Sequence, residues 1–311
     1  MNLGAFYVVV FALLIMLAVG YIARKTKIIN ESVSKAMSTI VIKIGQPFMI
    51  IGAMISVEYS PQRLLTGLMT LGIGIVFHAI VAVIAYFAVF KFKKLDERKI
   101  SEFAIIFGNC GFVGFPLVES ALGLEGLFYA SFFMVSFNLF LWTWGIIILA
   151  RQREDIKINP KTLILNFGTL PCIIGILLFV LPFQMPAFIS TAVSYIGGIC
   201  TPLSMIITGS LIATVSLKDL FCDLKVYYVC FLRLIVAPAV ITVITWLLGF
   251  DTTYVFFMAI VFAMPTATSA VMFGELYEID KKRAAVCAGM SSILSMATMP
   301  LFMSILNSIF S

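Results

Sequence analysis

Charge is what this 311-residue sequence has least of. Asp, Glu, Lys and Arg together make up 12% of it, against 62% hydrophobic residues, and there is one histidine. With a mean hydropathy of +1.11, no single water-soluble core could hide that much apolar surface, so a soluble domain is excluded and lipid is the expected solvent. The six cysteines, Cys110, Cys172, Cys200, Cys222, Cys230 and Cys287, show no CxxC and no Cys/His spacing. They read as small buried hydrophobes rather than disulfides or metal ligands, and no cofactor is expected. The chain also lacks HExxH, GxSxG and paired aspartates within apolar segments, which argues against an intramembrane protease or hydrolase and against an enzyme in general. No Asp or Glu occupies the middle of an apolar segment, Glu102, Glu119 and Glu275 all lying near segment ends.

What the sequence has instead is long uncharged runs. Met1 to Ala23, Leu64 to Phe90, Gly126 to Ala150, Thr252 to Gly274 and Ala284 to Ser311 each exceed the roughly 20 residues needed to cross a bilayer. Thr162 to Leu217 is long enough for two spans, divided at Pro182, Gln184 and Pro186. Three further spans are expected at about 36–57, 100–118 and 226–248, giving an all-α integral membrane protein of ten transmembrane helices. The first run has no basic residue before it, so it reads as a helix rather than a cleaved leader.

The net charge of +6 needs no nucleic-acid partner. Eighteen of the 21 Lys and Arg residues fall in five alternate connections, and the opposite side keeps only Arg63. By the positive-inside rule those connections are cytoplasmic, which predicts a multi-pass protein of the cell membrane with both termini outside. The other two basic residues, Lys43 and Arg233, lie within spans.

Sliding the sequence against itself by 155 residues places Ala104 to Phe107 on Ala259 to Phe262 and Pro47 on Pro202. This predicts a 5+5 duplication: residues 1–150 as the first five-helix repeat, 151–161 as a short cytoplasmic linker and 162–311 as the second. Five being odd, the second repeat enters the membrane inverted. Inverted repeats are a transporter signature, with the substrate site near the midplane.

Such sites lie where corresponding helices of the two halves are broken. The fourth helix packs Gly108, Gly111, Gly114 and Pro116 around Asn109, and the ninth carries Pro265, Thr266, Thr268 and Ser269. Proline removes a backbone donor and glycine eases non-helical angles, so both helices are expected to unwind there, at Gly111 to Pro116 and at Pro265 to Thr268. Each restarting half-helix offers unpaired N–H groups and a positive dipole end, suited to a carboxylate. Small residues at a close helix crossing would give the same composition. Asn109, one turn before the first break, and the hydroxyls at the second favour a substrate, because polar groups at that depth need partners. Lys43, about 13 Å into the second helix, with Gln46 and Pro47 on the same face, either adds positive potential to the site or snorkels to the interface. Arg233, eight residues from Lys225, is expected to snorkel. His78 reads as a packing histidine ahead of a proton relay.

The run from Gly108 to Leu117 resembles the GN-x-GF-x-G-x-PL element of the auxin efflux carrier family, which includes plant PIN proteins and compact bacterial malate and malonate permeases. Pro265-Thr266-Ala267 with Gly274 to Tyr277 is similar to its second crossing element, and Pro202-Leu203 with Gly209 to Leu211 to its seventh helix. Where the family often has Ala, this chain has Gly274. The resemblance implies a fold like that of bile-acid symporters, a mobile crossing domain, a scaffold domain of a kind that often forms homodimers, and elevator-type alternating access. It makes Asn109 the substrate-contacting amide and Pro116 and Pro265 the crossing prolines. The expected function is transport of a small organic anion, a mono- or dicarboxylate such as malate or malonate or an auxin-like acid. A Na+- or H+-coupled symporter of the bile-acid type, with Thr266, Thr268 and Asn109 helping to hold Na+, and an anion channel are the alternatives.

Overall fold

A computed structural model describes residues 3–151, 168–181, 185–276 and 279–310. Those residues are helical throughout apart from turns and one isolated bridge. In chain order the helices are α1 Leu3–Lys25, α2 Glu31–Ile55, α3 Pro61–Val89, α4 Leu95–Ile106, α5 Gly114–Ala150, α6 Thr169–Val180, α7 Ala187–Ile212, α8 Leu217–Phe221, α9 Leu224–Leu247, α10 Thr252–Ala263, α11 Ser269–Leu276 and α12 Lys281–Phe310. Seven are long and apolar enough to cross a membrane (α1, α2, α3, α5, α7, α9 and α12), and α6 and α10 are shorter apolar helices. This is an integral membrane protein. The linker proposed at 151–161 lies outside the described residues except for Arg151.

Several helix starts follow from capping. Asn30, Ser60 and Asp251 accept hydrogen bonds from the backbone N–H of Val33, Arg63 and Tyr254, and Pro61 opens α3 where its missing donor is no loss. Inside α2 and α9, single π-helical turns at Val41–Gly45 and Leu232–Val236 come just before Pro47 and Pro238. A mid-helix proline cannot bond the carbonyl four residues back, and its ring collides with it; the wider turn relieves both. A third π turn, Leu141–Gly145, lies in α5.

The 37 residues of α5 are two helical segments. Gly123 has φ +66° and ψ −150°, outside helical space and in a region that glycine alone adopts easily. In a straight helix residues 118 and 126 would be about 12 Å apart, yet a Cβ built on Gly126 would lie 3.1 Å from the Val118 carbonyl oxygen. The chain therefore folds back at Gly123.

On α1 the residues Val8, Phe11, Ile15, Val19 and Ile22 are exposed, while Phe6, Val10, Leu13 and Leu17 are buried. The helical spacing of the two sets gives one lipid-facing side and one side packed on α7. That packing is close, for Gly20 faces the backbone of Ile206 and Gly209 that of Leu17 and Tyr21. The first half of α7 and α6 pack on α2, α3 packs on α5, and α9 on α10. At the centre, α4 from Ile100 to Ile106 and α10 from Tyr254 to Ala263 are buried on every side. The N-terminal part of α4 is tied by ion pairs: Glu97 to Lys225 (2.8 Å) and Arg283 (3.0 Å), and Glu102 to Arg151 (2.8 Å).

Candidate functional site at the crossing of two broken helices

α4 stops at Ile106 and the chain restarts as helix at Gly114; α10 stops at Ala263 and restarts at Ser269. Between these ends two extended segments meet. Asn109 N–H donates to the Pro265 carbonyl (2.8 Å) and Ala267 N–H donates to the Phe107 carbonyl (2.9 Å), an antiparallel bridge centred on Gly108 and Thr266. Each break thus finds in the other the partners its own helix no longer supplies.

The first break begins four residues earlier than expected, at Phe107 instead of Gly111. Asn109 accordingly stands within it, not one turn before it. Pro116 does not break the helix; it is the third residue of the restarted one, where a backbone donor would have no partner within the helix. The glycines Gly108 and Gly111 unwind the chain, and the proline sits downstream of that.

The Asn109 side chain, 5% exposed, donates from Nδ2 to Thr268 Oγ1 (3.3 Å), which in turn meets Thr208 Oγ1 of α7 (3.3 Å). Thr201 Oγ1, also on α7, donates to the Phe112 carbonyl in the other break (3.0 Å). Beside these groups lies a cavity of about 790 Å³, within the usual range for small-molecule sites. Asn109, Gly111, Thr268, Lys43 and Gln46 line it, as do Ala267, Ser269 and Trp142, with Lys35 and Lys281. Of the anticipated set, Gly114, Pro116, Pro265 and Thr266 do not. Thr266 is turned into the protein: its Oγ1 donates to the Ala104 carbonyl and its N–H to Ser291 Oγ. Lys43 sits on the π turn of α2, exposed to the cavity. Gln46 reaches Asn138 Oδ1 at 3.4 Å. The Ser269 hydroxyl oxygen is buried with no hydrogen-bond partner among the described residues.

Arg233 does not snorkel. It is 1% exposed, and its guanidinium lies behind the crossing, donating from Nε to the Met264 carbonyl (2.8 Å) and from Nη1 to those of Ile105 and Ile106 (3.1 Å each). These are the carbonyls at the ends of α4 and α10, which have no intrahelical partner. Counting residues from Lys225 measured depth but not direction, and the π turn directs the side chain inward. His78 is a packing residue: its ring lies among Phe107, Phe133, Phe137, Phe140 and Phe262, with Nδ1 2.6 Å from the Gly74 carbonyl.

The profile of a family described as membrane transport protein matches residues 5–303. An uncharacterized transporter of Methanocaldococcus jannaschii is 27% identical over 306 residues, covering 94% of this chain and 96% of that protein. Another, from Methanothermobacter thermautotrophicus, is 23% identical over 296 residues, covering the same shares.

Proposed function

The chain belongs to the membrane transport protein family, the auxin efflux carrier family that its crossing motifs resemble, and from that premise we propose that it is a secondary transporter for a small organic anion. The observation that carries this reading is the cavity at the crossing. It brings together the Asn109 amide, the Thr268 and Ser269 hydroxyls, the N-terminal end of one restarted helix at Ser269, the Gly111 and Phe112 turn that leads into the other, and three lysines against one carboxylate, Glu31. A carboxylate would find hydrogen-bond donors and positive potential there. The substrate is a mono- or dicarboxylate such as malate or malonate, or an auxin-like acid.

Ten spans in two inverted repeats form the frame of this reading. Folding back at Gly123 divides α5 into the end of the fourth span and the whole of the fifth; α11 completes the ninth as the restarted segment completes the fourth. The offset of 155 residues also relates Gly114 to Ser269, where the two broken helices restart, and the π turn before Pro47 to the interruption at Ile199 before Pro202. Helices α1, α2, α6 and α7 pack as a scaffold suited to a homodimer, against which the crossing moves in elevator fashion. Lys35 and Lys281, which belong to the basic connections, line the cavity, and this supports reading it as facing the cytoplasm.

Two experiments test this. In a thermal-shift screen of mono- and dicarboxylates on purified protein, with and without Na+ and across pH, at least one carboxylate is expected to raise the melting temperature. Asn109→Ala should weaken its binding about five- to hundredfold, corresponding to about 1 to 3 kcal/mol, since a buried partner is stranded. Unaltered affinity in Asn109→Ala would place the ligand elsewhere. For orientation, single cysteines introduced by Glu125→Cys and Asp251→Cys in a cysteine-free background should react with an impermeant reagent applied to whole cells. The one introduced by Asp155→Cys should not. Labelling of the last alone would invert the topology.

A further inference from the structure

Four helix ends meet at the crossing, two of each sign. The last carbonyls of α4 and α10 are negative ends, each equivalent to about half an elementary charge, and the restarts at Gly114 and Ser269 are positive ends of about the same size. Left alone, the four would cancel, and the lysines of the cavity lining would be the source of any preference for charge of one sign. The structure breaks that balance with one side chain.

We infer that Arg233 sets the sign of the binding site: by ligating the carbonyl ends of both broken helices it neutralises the negative pair and leaves the positive pair uncompensated beside the cavity, the Ser269 end in its wall and the Gly114 end behind Gly111 and Phe112. This rests on the transport reading and deepens it. An arginine stays protonated at any physiological pH, and among the described residues no carboxylate pairs with this one. Its full charge therefore answers the two half-charges of the carbonyl ends. What remains is about one positive charge at the restarted helices, whose neighbours Gly111, Phe112, Ala267, Thr268 and Ser269 line the cavity. One carboxylate restores neutrality. The substrate class that follows is a molecule presenting a single carboxylate to the crossing, with any second anionic group directed toward Lys43, Lys35 and Lys281.

Arg233 does this without touching the substrate. It is absent from the cavity wall, and Gly108 separates it from the cavity; a Cβ on Gly108 would collide with the guanidinium. It is a positioning and sign-setting residue, and a neutral donor of similar size would hold some of the same carbonyls while removing the charge. Glutamine is such a donor.

The test reads potential directly and needs no substrate. In a cysteine-depleted background carrying Ala267→Cys, the introduced thiol is reacted with an anionic and with a cationic methanethiosulfonate of similar size. The ratio of the two rates reports local potential, because access and thiol reactivity largely cancel. With Arg233 present the anionic reagent should be favoured, and Arg233→Gln should lower the ratio about tenfold or more, the scale of one charge acting across a few ångströms of protein. An unchanged ratio overturns the inference and leaves Arg233 a merely structural clamp. Should Arg233→Gln fail to fold, the native-Arg233 protein still decides. The preference for the anionic reagent should be stronger at Ala267→Cys than at Ser38→Cys, which lines the same cavity from α2, three residues from Lys35; equal or weaker preference overturns it. A carboxylate screen that finds no ligand would defeat the transport reading and leave this measurement standing.

Discussion

Gly108→Ala is expected to destabilise the protein by about 3 to 5 kcal/mol and to abolish ligand binding in whatever fraction still folds. The added methyl group would occupy the space now held by Arg233 Nη2 and Cζ. A long side chain usually swings aside, but this one is held by carbonyls on both broken helices at 2.8 to 3.1 Å. Expelling it would strand a buried cation together with the carbonyl ends it serves, the kind of loss that costs several kcal/mol. Moving Gly108 instead would pull apart the bridge to Thr266. Gly72→Ala is the control: Gly72 lies in α3 with open space around it, and alanine there should be neutral or slightly stabilising. Thermal unfolding in detergent and carboxylate binding by the surviving fraction check both. A Gly108→Ala protein that melts and binds like the native one would mean that the guanidinium is free to leave.

The membrane character, the broken helices and the amide at the crossing could be read from the residues, because each depends on composition or on local chemistry. Uncharged runs of bilayer length admit few structures, and three glycines in seven residues from Gly108 weaken a helix whatever surrounds them. What could not be read was which part of the motif opens the helix and where the polar groups turn. Thr266 and Thr268 are two residues apart with the same hydroxyl and would share a face in a regular strand, yet the first bonds Ala104 and the second lines the cavity, because Thr266 holds the bridge to Gly108 while Thr268 already lies in the turn into α11. The break was expected as an interrupted helix, with no bridge to fix where the extended part ends and the turn begins. Arg233 had a signal that distance from the interface obscured: two helices that end in the membrane expose carbonyls that only a buried donor can satisfy, and it is a strong donor inside a span with no carboxylate. Thr208 carried no such signal, since hydroxyls on apolar helices commonly bond their own backbone, as this one also does to Ser204.

Gly209→Ala is the second large effect. Its Cβ would collide with the Leu17 carbonyl oxygen and come within 2.9 Å of Tyr21 N, and no flexible side chain is among those neighbours. Backbone must yield, so α1 and α7 should separate along their length, at a cost of about 1 to 3 kcal/mol or more. Gly20→Ala should do the same from the opposite helix, where Ile206 backbone is the obstacle. The two wedges act on one interface. Once either has parted the helices the other meets less resistance, so the double variant should lose less than the sum of the singles. Melting temperatures of the three variants decide it, and strict additivity would show that the glycines guard separate contacts.

The bridge between the breaks also determines where the molecule can slip. Drawing the two broken helices apart would sever Asn109 from Pro265 and Ala267 from Phe107, and would strip Arg233 of carbonyls on both. Sliding α7 along them severs two hydroxyl contacts, Thr201 with Phe112 and Thr208 with Thr268. Mechanically the crossing is a welded joint and the α7 face is a seam. On the proposed transport reading, a cargo lodged against Asn109 would be gripped by residues of both sequence halves that stay locked to each other, and would be delivered by shear along that seam, with its own cradle intact throughout.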